Sequence, residues 1–170
     1  SDIIENNLRS LWLIATTLIV FGVILGLADT YGKRERTLDQ LSNRHGIMYG
    51  LAQALALMPG VSRSGATIAM GRFLGYKREA ALRYSFLLAL PAVFGSGFYQ
   101  LQGAISSEES NVFSLAETAV ATGIAFVVGY LVIAWLLKFV STKSFMPFII
   151  YRIALGTLLL ILLGTGVISA

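Results

Sequence analysis

Hydrophobic residues in this chain come in long charge-free blocks separated by short charged segments. No Lys, Arg, Asp or Glu occurs in residues 10–28, 45–62, 84–107, 118–137 or 153–170, blocks of 19, 18, 24, 20 and 18 residues that hold 99 of the 170 positions. A helix needs roughly 20 mostly apolar residues to cross the hydrocarbon core of a bilayer, so the pattern predicts an all-α polytopic membrane protein. Blocks of this length lack the period-two alternation of a transmembrane barrel, which excludes that class. Four segments read as spans: 10–28, 84–107, 118–137 and 145–168. Trp12 and Tyr31 bracket the first as interface aromatics. Gly22 and Gly26 form a G-x-x-x-G pair that reads either as a close-packing face or as ordinary membrane-helix glycine. The span 84–107 is expected to kink or break near Pro91, and Lys138 to Lys143 to form a short basic turn.

The block that opens at His45 departs from this pattern. Pro59-Gly60 and then Ser62-Arg63-Ser64-Gly65 interrupt it before apolar sequence resumes at Ala66 to Leu74, the mark of a helix, a break and a second half-helix. Charge decides whether 45–74 crosses the membrane. If it re-enters, the basic clusters 33–44, 72–83 and 138–143 share one face, with ten of the thirteen Lys and Arg residues, and the other face keeps Arg9. Arg63 and Arg152 then lie at membrane depth. If it crosses, the first two clusters fall on opposite faces, against the positive-inside rule. The expected architecture is therefore four transmembrane helices plus one re-entrant helix–break–helix hairpin in a single membrane domain, 1–170, with 29–44 as a cytoplasmic loop and both termini outside.

Composition agrees: 56% of residues are hydrophobic and 13% charged, against about 25% charged in soluble domains. The absence of cysteine removes disulfides, thiol nucleophiles and Cys-ligated metals. A single histidine, His45, read as an interfacial side chain, argues against a His-built metal site. The net charge of +4 serves orientation rather than nucleic-acid binding. Asp2 and Glu5 before the first span and Asp29 after it do not suit a cleavable signal peptide. The start at Ser1, within ten residues of a span, reads as a processed or incomplete chain.

The chemistry is expected at the break. Irregular backbone at membrane depth is tolerated where protein or a water-filled cavity satisfies its polar groups, and an intramembrane Arg marks a functional site by default. Gly65-Ala66-Thr67 is expected to open the second half-helix, whose N-terminal amides and dipole suit an anion. Gly60 and Gly65 permit close approach; Arg63 adds a forked pair of donors, and Ser62, Ser64 and Thr67 add hydroxyls. These donors suit a pyrophosphate or phosphate ester; the alternative is a plain kink with Arg63 reaching the headgroups. Gln53, on the first half-helix, reads equally as a cavity group or a helix contact. Arg152 reads as an interface anchor or as a second cation near a lipid phosphate. No G-x-x-x-x-G-K-[ST] pattern is present, so a nucleotide site is not supported.

The stretch GLAQALALMPGVSRSGAT at 50–67, with YSFLLALP at 84–91 and the F-x-P-F-x-x-Y-R segment from Phe145 to Arg152, resembles the undecaprenyl-pyrophosphate phosphatases, the bacitracin-resistance family. The resemblance covers nearly the whole chain and implies a multi-pass enzyme of the bacterial inner membrane, built as inverted repeats with a cavity open to the outer face. Its implied activity is hydrolysis of undecaprenyl diphosphate to the monophosphate carrier of cell-wall synthesis, with bacitracin resistance as a consequence. It implies Ser62, Arg63, Ser64 and Thr67 as the phosphate-binding loop, shaped by Gly60, Gly65 and Ala66, with Arg63, Ser62 and Ser64 as the catalytic candidates; Gln53 and Arg152 remain phosphate-binding candidates on the two readings given above. It also implies a polyprenyl diphosphate lipid as partner, and a homo-oligomer is a further candidate.

One family signature is missing: an E-x-x-x-E pair followed by a P-x-S-S-x-G-H loop, since Pro occurs only at 59, 91 and 147. The chain therefore resembles the C-terminal portion of the enzyme. A divalent cation, Mg²⁺ or Ca²⁺, is implied with its ligands outside this chain and no metal site within it. Whether a serine or a water attacks is left open. Competing readings are a flippase of the same lipid, or an inactive fragment that needs the upstream segment.

Overall fold

The computed structural model describes residues 10–106 and 115–168. These form helices α1 (Leu11–Tyr31), α2 (Asn43–Ala54), α3 (Arg63–Phe73), α4 (Arg78–Ser106), α5 (Leu115–Thr142) and α6 (Met146–Gly164), with 3₁₀ turns at Leu38–Gln40 and Leu55–Leu57. Four helices are long and apolar enough to cross a bilayer, over Leu11–Tyr31, Arg78–Gln102, Ala116–Thr142 and Met146–Gly164. The fold is an all-α polytopic membrane fold with a short-helix hairpin between its first and second membrane-length helices.

The hairpin follows from local chemistry. At 12 and 11 residues, α2 and α3 are about 18 and 16 Å long, well short of a hydrocarbon core of about 30 Å. Ser42 caps α2 by accepting the His45 amide, and Ser62 caps α3 by accepting that of Gly65. Between them the chain turns at Pro59 and at Gly60, whose φ of 84° lies in the region that favours glycine. Both legs start from one end. Arg36 donates through Nη1 to the Leu74 carbonyl at 2.7 Å. The amides of Glu35 and Arg36 reach the Gly75 carbonyl, and the Lys77 amide reaches that of Arg36. The clusters 33–44 and 72–83 thus lie together, the arrangement that charge had favoured. His45 joins the same end: its Nδ1 is 2.8 Å from the Tyr76 hydroxyl and its Nε2 is 3.2 Å from Arg36 Nη1.

A buried charge cluster closes this end. Asp29, 3% exposed, receives Arg78 in a fork at 2.6 and 2.9 Å and the Phe145 amide at 3.3 Å. Arg72, fully buried, sits 3.3 Å from the same carboxylate and donates to the carbonyls of Asp29, Gly32, Lys33 and Tyr76. One carboxylate thereby ties α1, α3, α4 and the start of α6. Arg72 keeps its place in the basic cluster 72–83 but is buried, because carbonyls at the end of α1 and in the turns beside it need a donor there.

Helices α1 and α6 pack antiparallel through small residues. A Cβ at Gly22 would lie 2.9 Å from Ile153 Cγ1, and at Gly26 3.6 Å from Ile149 Cγ2, so the pair serves as a close-packing face. The tightest counterpart is Gly156, where a Cβ would lie 2.7 Å from Ile19 Cγ1 and 2.8 Å from the Ala15 carbonyl oxygen. Gly156→Val is expected to destabilise the protein by about 1–3 kcal/mol through overpacking. Thermal unfolding in detergent reads this, and an unchanged midpoint would show that the helices can separate freely there.

Several boundaries differ from expectation. Helix α4 runs through Pro91 without a break, since the flanking apolar helix supplies enough turns to carry the lost hydrogen bond. It also begins at Arg78, six residues before the expected span. Helix α5 continues to Thr142, so Lys138 is helical and only Lys143 remains of the expected basic turn. Helix α6 ends at Gly164 rather than 168. The second half-helix opens at Arg63 rather than Gly65, because Ser62 is the cap. Helix α5 begins at Leu115, three residues before the expected span, so Glu117 lies in its first turn, while Arg9 lies outside the described residues.

Candidate functional site

The tip of the hairpin reaches Thr17 on α1, 12 residues, or about 18 Å of helix, from the Asp29 cluster. Two side chains from the long helices satisfy the carbonyls exposed by the break. Thr17 Oγ1 is 2.8 Å from the Pro59 oxygen, and Arg152 on α6 donates through Nη2 to the Gly60 oxygen at 3.0 Å. A Cβ on Gly60 would overlap the Thr17 hydroxyl, so glycine is required by space as well as by φ. Beyond the turn, Ser62 Oγ accepts the Gly65 amide at 3.1 Å and lies 3.2 Å from Ser64 Oγ. The Arg63 and Ser64 amides, first in α3, have no acceptor within the helix.

Ser62, Ser64, Gly65 and Arg152 form the polar end of a cavity of about 290 Å³. Its other walls are apolar: Leu25, Ile68, Leu82, Phe86, Leu136, Phe145, Phe148 and Tyr151. Arg152 Nε is buried here without a partner, an exception to the rule that buried polar atoms are hydrogen-bonded. Guanidinium, hydroxyls and helix amides converging on one end of an apolar chamber suit a negatively charged group attached to an apolar body.

The remaining candidates are distributed around this core. Arg63 stands exposed at the first position of α3, outside the cavity wall, and its guanidinium forms no hydrogen bond or ion pair with the described residues. Thr67 is fully buried; its hydroxyl contacts the Arg63 and Ser64 carbonyls and lies 2.6 Å from Ser85 Oγ on α4. It locks α3 onto α4 instead of lining the cavity. Ala66 is buried beside it at 4% exposure. Gln53 shares the helix face of Tyr49 and Ala52, and its Oε1 is buried without a partner. Among the described residues no three His, Cys, Asp or Glu side chains group together. The donors at the break suit an anion and would repel a bare cation.

Sequence reasoning missed Thr17 and Ser85, single hydroxyl residues inside apolar blocks. No local signal marked either, since a hydroxyl in an apolar block can as readily bond a carbonyl of its own helix, as Thr17 also does. Thr17→Val, which keeps the shape but removes the hydroxyl, is expected to leave the Pro59 carbonyl unsatisfied at about 1–3 kcal/mol. Thr17→Ser is expected to retain most of the stability, and equal thermal midpoints for Val and wild type would show that the contact contributes nothing.

The fold and the break together define a multi-pass membrane protein whose polar chemistry is gathered at the tip of a helix–break–helix hairpin. The family profile described as bacitracin resistance protein BacA matches residues 1–158, and the chain belongs to that family. It is 62% identical over 170 residues to the undecaprenyl-diphosphatase of Paenarthrobacter aurescens, covering 99% of this chain and 61% of the relative. It is 61% identical over 169 residues to undecaprenyl-diphosphatase 2 of Agrobacterium fabrum, covering 99% and 60%. With the Nocardioides undecaprenyl-diphosphatase the identity is 57% over 169 residues, with 99% and 61% covered. The chain spans about three fifths of the length of the curated relatives it matches.

Proposed function

We propose that the full-length protein is an undecaprenyl-diphosphatase, releasing phosphate from undecaprenyl diphosphate to give undecaprenyl phosphate, and that this chain supplies the phosphate-binding break. The observation that carries this reading is the cavity itself: hydroxyls and a guanidinium at one end, apolar walls elsewhere, the two-part chemistry of a lipid diphosphate. The names of the relatives, each an undecaprenyl-diphosphatase, point the same way. Such a protein would recycle a lipid carrier for cell-wall synthesis in a bacterial inner membrane and so confer bacitracin resistance.

In this reading Arg152 and the first amides of α3 hold the phosphoryl oxygens, and Arg63, with its donors uncommitted, neutralises charge that develops on the group being transferred. Ser62 is committed to capping α3, and neither Ser62 nor Ser64 has a histidine or carboxylate partner among the described residues. Both therefore serve as donors rather than nucleophiles, and water attacks, activated by groups outside this chain. A divalent cation, if required, is held by residues outside this chain. With the basic end cytoplasmic, the tip lies past the bilayer midplane and the cavity serves the outer face.

Arg63→Ala in the full-length protein is expected to lower phosphate release from undecaprenyl diphosphate by about 100-fold or more while leaving thermal stability near wild type. Unchanged turnover would remove Arg63 from this role.

A further inference from the structure

A second cavity, of about 480 Å³, opens at the basic end of the molecule, between the C-terminus of α1 and the turn after α3. Lys33 and Arg36 line it together with Tyr31, Phe73 and the single carboxylate of Glu35. Three observations agree on what it could hold.

The first is charge. Arg72 donates to the carbonyls of two residues that line the cavity, Gly32 and Lys33, at 3.1 and 3.4 Å. Arg72 and Arg78 share one carboxylate, Asp29, so the buried cluster keeps a formal excess of one positive charge. Lys33 and Arg36 outweigh Glu35 above it, and the Lys33 ammonium has no acceptor among the described residues. Buried charge of this kind is screened less by salt than charge on an open surface.

The second is depth. Tyr31 is 77% exposed at the end of α1 and Phe73 is 54% exposed at the end of α3. Aromatic side chains at the ends of membrane helices sit at headgroup level, which places the cavity mouth there too. The third is shape: a chamber of this size with apolar flanks and a cationic floor admits a phosphodiester headgroup with the start of its acyl chains.

We propose that this cavity binds the headgroup of an anionic phospholipid from the leaflet in which the basic end sits, with Lys33 and Arg36 on the phosphate and Tyr31 and Phe73 against the glycerol and upper acyl carbons. The site is separate from the break and does not depend on the protein being a phosphatase. Its occupancy ties the loop 32–36 to the turn 73–75, the two strands of chain through which the hairpin leaves and re-enters the basic end.

The test is thermal unfolding of the full-length protein in detergent with added phosphatidylglycerol, phosphatidylcholine or inorganic phosphate, paired with native mass spectrometry of the retained lipid. Phosphatidylglycerol is expected to raise the midpoint by about 3 °C or more and to be retained. Phosphatidylcholine and inorganic phosphate are expected to do neither. Lys33→Glu is expected to abolish most of the gain, and Lys33→Gln, a milder change, to reduce it. Lys143→Glu alters charge equally at an exposed position outside the cavity and is expected to keep the gain. An equal gain with phosphatidylcholine or inorganic phosphate, or full retention in both Lys33 variants, would overturn the proposal. So would an equal loss in Lys143→Glu, which would mean diffuse attraction by the whole face. None of these readings uses phosphate release, so the outcome is independent of the proposed hydrolysis.

Discussion

Asp29→Ala is expected to destabilise the protein by about 3–5 kcal/mol, the cost of stranding buried charge when one partner of an ion pair is removed. Two guanidiniums and one backbone amide converge on this carboxylate, and Arg72 has no exposed surface through which water could replace it. Because the cluster joins α1, α3, α4 and the start of α6, the loss is expected to be global rather than confined to one helix. Asp29→Asn keeps one oxygen, enough for Arg78 Nη2 and the Phe145 amide, but loses the charge and turns an NH2 towards the Nε donors of Arg78 and Arg72, so it is expected to fall between alanine and wild type. Denaturant unfolding in detergent measures both. A cost below about 1 kcal/mol for Asp29→Ala would mean that water or lipid headgroups already screen the arginines.

The second large effect is expected at Arg152. Arg152→Ala should lower phosphate release from undecaprenyl diphosphate by about 100- to 1000-fold, since it removes a cation from the polar end of the cavity and the donor that holds the Gly60 carbonyl. Arg152→Lys is expected to recover only part of this, because a single ammonium on a flexible stem cannot present a fork to both the carbonyl and a phosphoryl oxygen. Phosphate release by either variant within about threefold of wild type would leave Arg152 with a purely architectural role.

Much of the architecture was legible because the bilayer imposes it. Charge-free blocks near 20 residues mark spans wherever they occur, and the positive-inside rule was enough to bring the clusters 33–44 and 72–83 to one end. The break was legible for a related reason: Pro59, Gly60 and Arg63 are costly at membrane depth and so stand out against an apolar background. What periodicity and charge could not reveal were pairings across the fold. Asp29 and Arg72 gave no sign of their partnership, which spans 43 positions. Thr17 and Ser85 looked like tolerated polar residues because nothing local distinguishes a hydroxyl bonded to its own helix from one reaching another element. Pro91 does not end α4, since a long apolar helix can continue past a proline that would end a shorter one.

The candidate site divides in the same way. Ser62, Ser64 and Gly65 lie together by sequence, and Arg152 joins them because α1 and α6 pack antiparallel through Gly22, Gly26 and Gly156. Thr67 shares their motif yet faces α4, where its buried hydroxyl meets that of Ser85.

The most direct test of the proposed function is phosphate release by the purified full-length protein, with Mg²⁺ or Ca²⁺ present, from undecaprenyl diphosphate beside undecaprenyl phosphate. The expected result is release of one phosphate per diphosphate lipid, with the monophosphate accumulating and itself left intact. Binding of the diphosphate lipid without release of phosphate would contradict it.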